Sequence, residues 1–157
     1  MNDNRYILVI ADDSPEMEIA MEYACARSKK TSRKIIIATF IEPLDVLTTQ
    51  GVTEIMKNEA REEAEKTLNL AATIVKESTG IMPVLYSREG ELISELKKLI
   101  EEEENINVLV LAANSDPKNK DSNTIINSLV SKELTNMRVP VMIVPGNFSK
   151  DHIALIT

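Results

Sequence analysis

Five short apolar runs punctuate the chain, and stretches of helical periodicity separate them. Tyr6–Ala11 (YILVIA) is continuously apolar and flanked by polar residues, the pattern of a strand buried on both faces. Asp12-Asp13-Ser14-Pro15-Glu16 follows at once, and Ser14 suits a helix N-cap with Pro15 at the first helical position. Met17, Ala20, Met21 and Ala24 then recur at helical spacing, so a helix is predicted to about Lys29. Lys34–Ile41 (KIIIATFI) reads as the second strand, stopped by Glu42-Pro43, with a loop over 44–51. A long amphipathic helix is predicted from about 52 to 79, with Val52, Ile55, Met56, Ala60, Ala64, Leu68, Ala71 and Val75 on its apolar face. Gly80 is its expected stop. Ile81–Tyr86 (IMPVLY) is a weaker strand whose Pro83 points to a sheet edge. Gly90 opens a helix carrying Leu92, Ile93, Leu96, Leu99 and Ile100. Val108–Ala113 (VLVLAA) is the fourth strand and Asn114–Asn123 a polar loop. Ile125, Ile126, Leu129, Val130 and Leu134 mark the last helix, and Val139–Val144 the fifth strand, closed by Pro145-Gly146.

Strands alternating with helices from end to end imply an α/β fold: a doubly wound parallel sheet with helices on both faces and right-handed crossovers. At 157 residues the chain is expected to form one domain over 1–157, with its core at about 5–148 and a tail at 149–157. Eighteen basic against twenty-five acidic residues give a net charge of −7. That balance argues against nucleic acid, which needs a basic footprint, and against an anionic membrane surface. No apolar run approaches the roughly 20 residues of a membrane span, and the short apolar start after Met1–Arg5 is too brief for a signal peptide. A single cysteine, Cys25, makes no internal disulfide, so a cytoplasmic location is expected.

Catalytic chemistry has little to build on. One histidine, His152, lies in the tail and is expected to be exposed, and no histidine-based catalytic or metal cluster is possible within one chain. Cys25 reads as a small buried hydrophobe rather than a nucleophile. Glu101–Glu104 reads as a solvated helix end, not a metal site. No catalytic residue and no metal ligand set is identified, and the chain is expected not to be an enzyme. In parallel sheets of this kind, ligands bind at the carboxyl ends of the strands where strand order reverses. The candidate positions are therefore Asp12, Asp13 and Ser14 after the first strand, and Ala112, Ala113, Asn114 and Ser115 after the fourth. Phe40 stands near the end of the second strand, at the same end of the sheet.

Two known patterns fit the opening. LVIADDSPEM resembles the start of a response-regulator receiver, where an acidic pair binds magnesium. Against it, IMPVLYS offers no phosphoacceptor Asp, Val144-Pro145-Gly146 stands where a receiver has Lys, and the 52–79 helix is too long. The whole chain is more similar to the universal stress protein family. Asp12-Asp13-Ser14, Phe40-Ile41-Glu42-Pro43, Arg88-Glu89-Gly90-Glu91, VLVLAA and the final Val139-Pro140-Val141-Met142-Ile143-Val144 match family motifs in order, over about residues 5–148. The resemblance implies a Rossmann-like (HUP-type) five-stranded sheet of order 3-2-1-4-5, a homodimer through strand five (Val141, Met142, Ile143 and Val144), and a binding or signalling role in bacterial stress adaptation.

ATP-binding members of that family carry a Gly-x2-Gly-x9-Gly-Ser/Thr motif after strand four. Here no glycine stands between Gly90 and Gly146. Ala112 or Ala113 takes the first position, Asn127-Ser128 stands where Gly-Ser would be, and the loop is two residues longer than the pattern. Asn114 and Asn127 could keep some turn shape, since asparagine best tolerates positive φ after glycine. Lys118 and Lys120 read as a solvated loop. ATP with magnesium is therefore disfavoured as a cofactor, although a remodelled loop that binds ATP is the rival reading. An unknown protein partner or a small adenine-like ligand is expected.

Overall fold

The computed structural model describes residues 4–43, 50–116, 118 and 123–157, and of residues 50–53 the backbone only. Five parallel strands form one sheet: β1 (Tyr6–Ile10), β2 (Lys34–Ile41), β3 (Val84–Glu89), β4 (Ile106–Ala113) and β5 (Val141–Pro145). Their order is β3-β2-β1-β4-β5, as the resemblance implied. The continuous apolar run places β1 at the centre, in register with β2 through Tyr6↔Lys34 and with β4 through Ile7↔Val108. Helices α1 (Met17–Thr31), α2 (Gln50–Thr79), α3 (Leu92–Glu102), α4 (Thr124–Ser128) and α5 (Lys150–Ile156) complete the chain. Two cores result. Ile7, Val9, Ile35, Ile37 and Val144 pack beneath α1 and α2, while Leu8, Ile10, Ile36, Leu109 and Leu111 meet Leu96, Leu99 and Ile100 of α3.

Several local expectations are corrected. Ser14 does not cap α1: its amide (3.0 Å) and its hydroxyl both donate to Asp12 Oδ1, so Pro15 and Glu16 form a turn and Glu16 takes the cap position. The expected strand at Ile81–Tyr86 starts three residues later, because Ile81 and Met82 lie exposed in the turn before Pro83. The last helix is not continuous. Thr124–Ser128 is α-helical, Leu129–Glu133 is a π-helical turn and Leu134–Asn136 a 3₁₀ turn. The loop expected over 44–51 lies mostly outside the described residues, and Gln50 is already helical. Ile55 and Met56, assigned to the apolar face of α2, are exposed. The tail, given no structure from its sequence, forms α5, with Ser149 Oγ accepting from the His152 amide at 3.1 Å.

Acidic charge at the C-terminal end of α3 opposes the helix dipole, and Arg138 answers it. Its guanidinium donates to the carbonyls of Ile100 (2.5 Å), Glu103 (2.9 Å), Glu104 (3.2 Å) and Ile106 (3.1 Å). The run Glu101–Glu104 is thus a helix end closed by a cation from the segment before β5.

Candidate functional site

The carboxyl ends of β1, β2 and β4 frame two adjoining cavities. The larger, of about 340 Å³, has Phe40, Ile41, Ala64, Leu92 and Ile125 as an apolar lining beside Asp12 and Asp13. That volume lies at the small end of the range for small-molecule sites. The smaller, of about 60 Å³, runs between Asp12, Ser14, Glu16, Ala112 and Asn123, and has room for a few waters. Ile10, Asp12 and Ile125 border both. The parallel sheet explains the position: β1 is central, its chain turns away to α1, β4 crosses to the other side, and a crevice opens between them.

Among the described residues, the charged ones lining the larger cavity are all acidic: Asp12, Asp13, Glu42 and Glu63. Asp12 and Glu16 continue that sign into the smaller one. Lys57 lines a depression of about 170 Å³ that adjoins the larger cavity through Ile41, Glu42 and Ala60, together with Glu89.

The loop after β4 is tied to itself. Asn123 Oδ1 accepts from the Asn114 amide at 2.8 Å, and Asn123 Nδ2 donates to the Asn114 carbonyl at 3.3 Å. Asn114 Oδ1 accepts from the Asp116 amide at 2.8 Å, and Asp116 Oδ1 from the Lys118 amide at 2.9 Å. Three backbone N–H groups at the end of β4 thus already have side-chain acceptors. Asn114 Nδ2 reaches the nearly buried Glu16 carboxylate at 3.4 Å. Beneath them Gly146 donates to the Ala113 carbonyl at 2.8 Å.

Of the candidate residues, Asp12, Asp13, Ser14, Phe40 and Ala112 line the cavities. Ala113 and Asn114 form the adjoining loop base, and Ser115 is exposed outside the cavities. Asn127 and Ser128 are not brought in. They lie within α4, and the Asn127 carbonyl accepts from Ser131 Oγ at 2.6 Å. Neither Asn114 nor Asn127 has positive φ; among the described non-glycine residues only Ser32 does, at 61°. The turn is held by side-chain hydrogen bonds instead. Lys118 is exposed, as a solvated loop residue should be, and Lys120 lies outside the described residues. Glu16 and Asn123 went unrecognised because their roles depend on contacts between elements.

A model of the universal stress protein family matches residues 4–145. The chain belongs to that family. The receiver alternative falls with this match. A universal stress protein from Burkholderia pseudomallei superimposes with a TM-score of 0.69 at 17% identity, covering 92% of this chain and 98% of its own. A universal stress protein solved in complex with cAMP gives 0.66 at 18% identity, covering 92% and 99%. One from Archaeoglobus fulgidus in complex with dAMP gives 0.60 at 13% identity, again covering 92% and 99%. No curated protein matches the chain. At these identities the neighbours establish the family's Rossmann-like fold here.

The remaining chemistry-bearing side chains, Cys25 and His152, do not line the two cavities. Cys25 is buried in the α1-side core, and that burial sets its thiol above the ordinary range against the lowering effect of a hydrogen bond with Ser78. His152 is exposed, with its ring edge-on to Phe148 at 4.6 Å. No helix among the described residues is long and apolar enough to cross a membrane.

Proposed function

We propose that this universal stress protein is a cytoplasmic, homodimeric binding module in stress adaptation whose cleft takes a neutral or weakly charged adenine-like ligand rather than ATP, and that it acts by binding, not catalysis. One observation carries the reading: the cavity keeps an apolar lining around Phe40 and Leu92, while its charged lining residues, among those described, are all carboxylates. A base fits apolar walls, and Asp12 or Asp13 can accept from a ribose hydroxyl. A triphosphate in this cavity would face four like charges, with no cation among the described residues that line it. Relatives of the same fold solved with cAMP and dAMP are consistent with an adenine-containing ligand. Native mass spectrometry of the purified protein tests this. Co-purification of an adenine compound without a triphosphate is expected, and stoichiometric ATP would refute it.

The dimer is proposed through β5. The other edge strand, β3, carries Arg88 and Glu89, both in ion pairs, and such charge blunts an edge against pairing. β5 carries no charge between Val141 and Pro145, and Met142 and Ile143 are 41% and 37% exposed. Val144 was expected to present its side chain to the partner, but at 3% exposure it belongs to the protomer core and offers only its backbone edge. Ile143→Lys should weaken the dimer by about tenfold or more, since a lysine would be desolvated at the pairing edge. Sedimentation equilibrium reads this, and a wild-type monomer at micromolar concentration would sink the dimer.

A further inference from the structure

We propose that α5 of one copy closes an apolar cleft beside β5 of a second copy, so that the dimer is held by an exchanged helix as well as by paired strands. This rests on the strand-five dimer proposed above. The cleft, of about 260 Å³, has among its lining Tyr23 and Arg27 from the second half of α1, Arg33 just before β2, Asn107 and Val108 from the start of β4, and Pro140 and Met142 around the start of β5. It opens on the α1 face, because Met142 points to the same side as Val144, which packs with α1. Asn107 Oδ1 is buried there with no hydrogen-bond donor among the described residues. A single copy leaves this cleft unfilled.

Helix α5 packs on the same face, against α1. It follows the C-terminal end of β5, Lys150 pairs with Glu22 of α1 at 3.3 Å, and Ile153 is buried. Leu155 is 84% exposed and Ile156 is exposed beside it. A two-fold axis perpendicular to the sheet pairs β5 with its copy in antiparallel fashion. Such an axis preserves each face of the sheet and exchanges the two ends of the strand. It therefore carries α5 of the second copy to the N-terminal end of β5, on the α1 face, where the cleft opens. Leu155 and Ile156 of the second copy then meet Met142, Val108 and Tyr23. The carbonyl end of the incoming helix faces Arg27, the favourable sign for a helix C-terminus.

Sedimentation equilibrium of wild type, Ile143→Lys and Leu155→Glu, with a disulfide test, separates the two readings. Leu155→Glu should weaken the dimer at least about tenfold. It should leave the helical circular dichroism of the dilute chain unchanged, because Leu155 makes little contact within its own copy. On a Cys25→Ala background, Arg27→Cys combined with Leu155→Cys should give covalent dimers on mild oxidation, resolved on a non-reducing gel. A wild-type monomer overturns the strand-five dimer and the exchange together. A wild-type dimer that Ile143→Lys dissociates, but that Leu155→Glu leaves intact and that forms no covalent dimer, overturns the helix exchange alone.

Discussion

Calorimetry with ATP and magnesium should show a dissociation constant near the millimolar range, whereas adenosine should bind more tightly. The phosphate end of the cleft decides this. A phosphate oxygen there would have to displace Asn123 Oδ1 from the Asn114 amide, Asn114 Oδ1 from the Asp116 amide, or Asp116 Oδ1 from the Lys118 amide. A hydrogen bond to a charged group is worth about 1.5–3 kcal/mol, so two forfeited contacts cost roughly a hundredfold or more in affinity. The Glu16 carboxylate, held against Asn114, adds repulsion at this end of the cleft. Glu16→Gln isolates that term. The amide still accepts from Asn114 but carries no charge, so ATP binding should improve by about five- to tenfold, in line with roughly 1 kcal/mol for a screened charge pair. Adenosine affinity should stay unchanged. A low-micromolar ATP constant abolished by Asp12→Ala would show that the longer loop had replaced the glycines, and the reading of the site would fall.

The sheet was legible because buried parallel strands are written as continuous apolar runs, and β1, β2 and β4 are such runs. Edge elements were less so. Ile81 and Met82 extend the apolar run of β3 but sit in the turn that Pro83 ends, so composition and position disagreed. Ser14 carries the chemistry of an N-cap, yet Asp12, two residues earlier, takes its amide and hydroxyl first. The short α5 buries only Ile153, too little for a periodic signal. At the site, Asp12, Phe40 and Ala112 followed from their place at strand ends. The clamp of Asn114 by Asn123 and its approach to Glu16, 98 residues away in sequence, needed the fold. Aligning glycine positions by count put Asn127-Ser128 at the phosphate end, but helix formation from Thr124 carried them out of it.

Gly146→Ala should lower the melting temperature by roughly 2–10 °C, the effect of about 1–3 kcal/mol of overpacking in a chain of this length. A Cβ at Gly146 would stand 2.3 Å from the Ala113 carbonyl oxygen and 3.0 Å from Glu16 Cβ. The first of these is backbone, so no rotamer change relieves it. The Gly146 amide also donates to that same carbonyl, so the strain falls on the junction of β4 and β5 and on the floor of the cleft. Gly80 provides the contrast. Nothing lies within 4 Å of its would-be Cβ, but its φ of 76° is left-handed. Asparagine tolerates that region better than alanine, so Gly80→Asn should cost less than Gly80→Ala. At Gly146 the order should reverse, because the conflict is volume and asparagine has more of it. Thermal denaturation of the four variants reads both orders at once. An unchanged melting temperature for Gly146→Ala would mean that β5 can move away from β4 without loss, and the tight closure beneath the Asn114 loop would then not be what keeps the phosphate end of the cleft shut.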